Sequence, residues 1–222
     1  MISHQDKIIF VHINKTGGTS IEKAFGSKRD FSISDQIIPK DIIDQVGMQV
    51  WADYYTFAMI RNPWDRFISE YFFRKTSPLC PPRVALTSKM SFKEFVLDRY
   101  EAMHNPSTAK SELIRFQSQI LWLLDQRGNL MVDFIGCFDF LQESFDAIKP
   151  NSRMKLPHEN KTDHKYYSEY YDEESMNLVR KLHLEDIEAF NYKFGEPLPD
   201  MPVAPDKFPY RGWNVMPARM FL

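Results

Sequence analysis

Cysteine is scarce in this chain: among 222 residues only Cys80 and Cys137 carry a thiol. They lie far apart and without metal-ligand spacing, which points to two reduced thiols in a cytosolic protein rather than a metal site. Neither sign of charge is in surplus. The formal net charge is −2, so nothing global marks a nucleic-acid or membrane-surface protein, and any anion site has to be local. Long hydrophobic runs are missing as well. The opening MISHQDKIIFVHIN is too short in apolar residues for a signal peptide or a membrane anchor, so a cytoplasmic protein is expected. There is no internal repeat.

The remainder is ordinary globular composition, with 43% hydrophobic and 26% charged residues, long enough for one substantial core and one domain. That domain is expected over residues 1–195. Six prolines between Pro197 and Pro217 mark residues 196–222 as an extended, irregular extension packed on or near it.

Residues 8–13, IIFVHI, read as a strand apolar on both faces, and YTFAMI (55–60) and VDFIGCF (132–138) read likewise. Helices are expected from IEKAF, KDIIDQV, SFKEFVLDRY, SELIRFQSQILWLL and QESFDAI, and over a long stretch from about Asp172 to Phe190. The strongest helix signal is NPWDRFISEYFFRK. Asn62 can cap it, Pro63 suits its first turn, and Trp64, Phe67, Ile68, Tyr71 and Phe72 form one stripe. Strands alternating with helices imply an α/β three-layer fold with a central, mostly parallel sheet flanked by helices.

Chemistry enters at the end of the first strand, in NKTGGTS. A strand, a glycine loop and a helix start bring backbone N–H groups against an anion. In the nucleotide-triphosphatase loop the lysine follows the glycines; here Lys15 precedes Thr16, Gly17, Gly18, Thr19 and Ser20. Lys15 therefore sits at the strand end, where it can reach back over the bound group. No apolar run ending in aspartate offers a magnesium partner, which argues against an ordinary ATPase or kinase. A second constellation, RNPWDRFIS, places Arg61 at a strand end and Ser69 about two helical turns on. A guanidinium fork and a hydroxyl suit a phosphate, whereas Asp65 and Arg66 can serve as simple ion pairs. Two anion sites on one sheet suit a nucleotide with phosphates at both ends.

Together these motifs resemble the sulfotransferases that use 3′-phosphoadenosine-5′-phosphosulfate (PAPS), in the carbohydrate-sulfotransferase-like branch with soluble bacterial-type members. The resemblance runs on through VDFIGCFDFL, LPHENKT and DIEAFNYKF and spans about residues 8–194. It implies a P-loop-like fold. It makes Lys15, Thr16, Gly17, Gly18, Thr19 and Ser20 the 5′-phosphosulfate loop, and Arg61 and Ser69 the 3′-phosphate site. Asn14 stands where the family often has proline, and Asn160, Lys161 and Thr162 stand where relatives close a loop over the nucleotide. Adenosine 3′,5′-bisphosphate is then the product, and no metal is required.

Charge building on the leaving oxygen calls for a lysine and N–H donors, a role that falls to Lys15. The acceptor's general base is harder to place. Many relatives carry a histidine between the two phosphate motifs, whereas this chain has Gln36 near that position and no histidine between His12 and His104. The catalytic candidates are His12, Asp35, Glu22 and His158, with Asp41 also nearby. His12 falls on the Phe10 and Ile8 side of its strand and is equally a core histidine, Asp35 can be a cap, and Glu22 also favours the helix dipole. Asp139 can cap the helix that follows it or touch the acceptor. The function expected is sulfuryl transfer to a hydroxyl of a carbohydrate or small metabolite, with neither nucleic acid nor membrane as partner. The alternatives are a nucleotide-binding module with impaired catalysis and, third, a P-loop small-molecule kinase.

Overall fold

A computed structural model describes residues 1–26, 38–76, 85–149, 154–157 and 165–198. Four strands form one sheet in chain order: β1 (Ile2–Ser3), β2 (Ile8–Val11), β3 (Tyr55–Ile60) and β4 (Phe134–Cys137). β1 runs antiparallel to β2, whereas β2–β3 and β3–β4 are parallel, in register at Phe10 with Phe57 and at Ala58 with Ile135. Parallel neighbours need crossovers. These hold α1 (Gly18–Ala24), α2 (Pro39–Val46) and α3 (Met48–Asp53) after β2. Between β3 and β4 lie α4 (Pro63–Thr76), α5 (Phe92–His104), α6 (Lys110–Phe116) and a 3₁₀ turn at Ile120–Trp122. Beyond β4 come a 3₁₀ turn (Phe138–Phe140), α7 (Leu141–Ile148), another 3₁₀ turn (Tyr167–Tyr170), α8 (Glu173–Leu182) and α9 (Leu184–Phe190).

Strand alternation sorts the core into two unequal layers. Ile8, Phe10, Phe57, Met59 and Phe134 pack with Ile21 and Ala24 of α1 and Phe145 of α7. Ile9, Val11, Ala58, Ile60 and Ile135 face the other way, into a larger layer built from α4, α5 and α8 around Trp64, Phe67, Phe95 and Trp122. The expected three-layer α/β architecture is what the chain forms. The β2 and β3 runs are buried on both faces because helices cover both.

α4 starts as its sequence implies. Asn62 Oδ1 accepts from the amides of Trp64 (3.1 Å) and Asp65 (3.4 Å), Pro63 opens the helix, and Trp64, Phe67, Ile68 and Tyr71 are buried. Five segments depart from expectation. β1 and α3 answer to no pattern singled out in the sequence, and the first strand ends at Val11 rather than residue 13. The SELIRFQSQILWLL helix stops at Phe116, where Gln117, Ser118 and Gln119 leave the helix before the 3₁₀ turn. The stretch from Asp172 to Phe190 is two helices, α8 and α9, broken at His183.

The last two breaks share a cause. Gln119 bridges the backbone of Arg61, accepting from its N–H (2.9 Å) and donating to its carbonyl (2.8 Å). Asp186 in turn accepts from Gln119 Nε2 (3.1 Å) and the Ile120 amide (2.8 Å). A straight helix through either segment would leave the chain end of β3 without these partners. Polar satisfaction in the interior overrides helical propensity here.

Candidate active site

β2, β3 and β4 are adjacent and parallel, so their C-terminal ends open side by side, the usual location of a ligand site on such a sheet. Residues 14–17 leave the first end, Arg61 leaves the second, and Phe138 with Asp139 leave the third. That topology, and not sequence proximity, brings the NKTGGTS and RNPWDR motifs together.

The loop is held in a tight, strained path. Lys15 has φ of 66° and Gly17 φ of 85°, both left-handed. The lysine carries a Cβ and so needs outside support, which Arg61 Nη1 supplies by donating to its carbonyl at 3.1 Å. The Thr16 hydroxyl is turned inward, fully buried, and donates to the Ile13 carbonyl at 2.8 Å. A Cβ on Gly17 would lie 2.8 Å from the Leu141 side chain, and one on Gly18 would lie 2.0 Å from His12 Nε2. Gly18 is glycine because the imidazole occupies its side-chain space.

Lys15 points across the loop to α4, its ammonium 4.1 Å from the centre of the Phe73 ring. Burial lowers its pKa to about 8, opposed by the Glu70 carboxylate and reinforced by the Arg61 and Arg115 guanidinium groups. Arg61 is engaged on several sides. Its Nε donates to Asp65 at 2.7 Å, its Nη1 holds the loop, and its guanidinium carbon stands 3.9 Å from the Phe138 ring centre. Ser69 is buried two turns along α4.

His12 and Glu22, two separate base candidates in sequence, form one pair. His12 Nδ1 lies 3.0 Å from Glu22 Oε1, its ring stacks on Phe10 at 5.3 Å, and its Nε2 is pressed against Gly18. Glu22 is buried rather than facing off the helix. The pair braces the joint of β2 and α1 from the smaller core layer. Asp139 does not cap α7, whose N-terminal residue has no side-chain cap; its Oδ2 accepts from the Cys137 thiol at 3.3 Å instead. Burial raises the Asp139 pKa, with Asp65 adding and Arg61 opposing. Asp41 lies on α2, whereas Asp35, Gln36, His158, Asn160, Lys161 and Thr162 lie outside the described residues.

Four side chains at the site carry no signal of it in the sequence: Phe73, Phe138, Glu70 and Arg115. Glu70 is almost fully buried and accepts from Arg74 Nε (2.7 Å) and Arg115 Nη1 (3.4 Å) through Oε1. A gap behind the loop is lined by Asn14, Arg66, Phe67, Glu70, Arg115 and Phe116. Asn14 Oδ1, Arg66 Nη1, Glu70 Oε2 and Arg115 Nε are all buried around it without a hydrogen-bond partner among the described residues. The i, i+4 series Arg66, Glu70, Arg74 is visible in the sequence, but nothing local says such a series is buried.

Residues 1–193 match the Sulfotransferase family, and the chain belongs to it. An uncharacterized protein of Archaeoglobus fulgidus is 28% identical over 120 residues, covering 53% of this chain and 82% of that protein. No solved structure matches. Among the described residues no helix is long and apolar enough to cross a membrane.

Proposed function

We propose that this protein moves the sulfuryl group of PAPS to a hydroxyl of a carbohydrate or small metabolite, as a member of the carbohydrate-sulfotransferase-like branch. The observation that carries this reading is the meeting of Lys15 and Arg61. A desolvated ammonium and a guanidinium from two motifs 46 residues apart share one left-handed loop. The donor set fits an anionic nucleotide. Two cations in low-dielectric surroundings gain most from a bound anion, and the Gly17 and Gly18 positions leave no room for side chains.

When bound, the donor supplies an activated sulfur: the bond from sulfur to the 5′-phosphate oxygen breaks as the acceptor oxygen bonds to sulfur. Lys15 holds its charge beside that departing oxygen, with the loop amides as further donors. Arg61 and Ser69 hold the 3′-phosphate and so contribute binding that is equal before and during the reaction. Asn160, Lys161 and Thr162 cover the nucleotide in this reading. The acceptor's proton leaves to a base that is one of His12, Asp35, Glu22 and His158, or passes directly to water.

The covered Nε2 of His12 and its pairing with Glu22 favour one second reading, a PAPS-binding module with impaired catalysis. Incubation with ³⁵S-labelled PAPS and a panel of sugar and small-molecule hydroxyl acceptors separates the two. Labelled product that disappears in Lys15→Ala supports the transferase. Tight binding of adenosine 3′,5′-bisphosphate with no labelled product across the panel would favour the module, and no binding at all would sink both.

A further inference from the structure

Lys15 is an unusual choice for a cation that must stay charged. Burial disfavours its ammonium, and two of the three charged groups acting on it, Arg61 from the end of β3 and Arg115 from α6, are positive. Among the described residues Glu70 of α4 is the one anionic group acting on it. The placement has a structural basis. Glu70 and Phe73 are three residues apart on α4 and therefore share a face, and Phe73 is the ring over which Lys15 sits, 4.1 Å from its centre.

The carboxylate is also held so that one oxygen is spare. Oε1 takes both of its cationic partners, Arg74 Nε at 2.7 Å and Arg115 Nη1 at 3.4 Å. Arg74 is anchored at its far end by Glu112 (2.8 Å), which also takes Arg99 Nη1 (3.1 Å). Oε2 is left buried without a hydrogen-bond partner among the described residues, on the gap it shares with Asn14, the residue just before Lys15. A buried carboxylate oxygen with no donor is a costly feature unless it faces a charge.

We propose that Glu70 is the positioning residue of this site: its Oε2 is the counter-charge that keeps the Lys15 ammonium in place over Phe73 until the donor's anionic groups take it over. Glu70 itself touches neither donor nor acceptor. The hydrogen-bonded chain from Glu70 through Arg74 and Glu112 to Arg99 then links that counter-charge to the outer helices α5 and α6. The functional side of this proposal rests on the sulfotransferase reading above, but the pairing of Glu70 with Lys15 does not.

The test therefore begins without any donor. Competitive amine labelling of the free protein across pH, read by mass spectrometry at Lys15, reports the titration of that ammonium. In Glu70→Gln the Lys15 midpoint should fall by about one pH unit or more from near 8, since the sole favourable charge is gone. In Arg115→Gln it should rise, because a like charge is removed and Glu70 loses one competing cation. Opposite shifts from neighbouring substitutions are not produced by general loosening of the site. With PAPS and acceptor, the alkaline limb of kcat/KM should move in the same two directions, so that Glu70→Gln loses roughly tenfold at pH values above its new limb.

An unmoved midpoint in a folded Glu70→Gln protein overturns the proposal whatever the activity. Should Glu70→Gln not fold, because Arg66, Arg74 and Arg115 are left around it, Arg115→Gln decides alone: an upward shift supports the proposal, and no shift or a downward one overturns it. Shifted midpoints with no labelled product from PAPS would leave the pairing in place and remove the sulfotransferase reading instead.

Discussion

Two buried polar clusters lie back to back on α4 and solve the same problem in opposite ways. At the loop, desolvated Lys15 rests on the Phe73 ring and buried Arg61 on the Phe138 ring, with Asp65 on Arg61 Nε at 2.7 Å. One layer deeper, Arg66 is paired off by structure: its Nη2 donates to the Gln117 carbonyl at 2.9 Å, and Asp186 and Glu70 oppose the penalty of its burial. Asp186 meanwhile collects Gln119, the Ile120 amide and, at 3.8 Å, the His183 ring. The inner cluster ties side chains to backbone and so orders the chain, with Arg66 Nη1 and both His183 nitrogens buried without a hydrogen-bond partner among the described residues. The outer one sets the Lys15, Arg61 and Arg115 cations against the Asp65 and Glu70 carboxylates. A lysine whose pKa burial pulls down to about 8 makes the outer cluster the candidate site of the pair.

That contrast can be broken from either side. The largest effect is expected at the inner cluster. Asp186→Ala should cost about 3–5 kcal/mol of stability, since it strands Arg66, Gln119 and the Ile120 amide together. Urea unfolding measures this, and a loss below about 1 kcal/mol would mean the cluster is not integral to the fold. Next comes Lys15→Ala, which should lower kcat by ~10² or more, the scale of one preorganised electrostatic contact, while leaving the urea midpoint unchanged or higher. Near wild-type kcat at saturating PAPS would remove Lys15 from the chemistry.

Arg61→Ala should chiefly raise KM for PAPS and weaken adenosine 3′,5′-bisphosphate by about 1.5–3 kcal/mol in calorimetry. Because Arg61 also holds the Lys15 carbonyl, a smaller drop in kcat should accompany it; unchanged bisphosphate affinity would move the 3′-phosphate site elsewhere. Gly18→Ala, which drives a methyl into His12, should cost about 1–3 kcal/mol by overpacking, and His12→Ala in the same chain should recover part of it. Additive losses in the double variant would deny the contact.

The smallest effect is a pH dependence. Burial and Arg66 hold the His183 pKa well below its ordinary 6.5, so the folded chain keeps it neutral where the unfolded chain takes up a proton. Its contribution to stability is therefore present above pH 6.5 and is lost as pH falls, by at most ~1.4 kcal/mol per unit. A His183→Phe protein should show a shallower acid limb between about pH 6.5 and 5 in urea titrations, and an identical slope would place the dependence on other groups.

Much of the loop was legible in the order of its residues. An apolar strand, then lysine, two glycines and hydroxyls is a local pattern, and local patterns fix local backbone geometry. The same holds for the Asn62-Pro63 start of α4 and for the paired motifs that carry family membership. Glu70 was not legible, because a helical carboxylate between two arginines reads as an exposed ion-pair series until burial is known. Nor was the His12–Glu22 pair, since its partners come from a strand and a helix on opposite sides of the loop.

By itself the sequence determined which strands had to be covered on both faces and where α4 starts. These follow from side-chain size and periodicity within a few residues. Only the tertiary structure decided that Lys15 sits over Phe73, that Arg61 braces the loop, and that helices stop at Gln117 and His183. Those outcomes depend on desolvation and on hydrogen bonds between residues 46 to 67 positions apart, and neither quantity exists until the layers of the fold have closed over them.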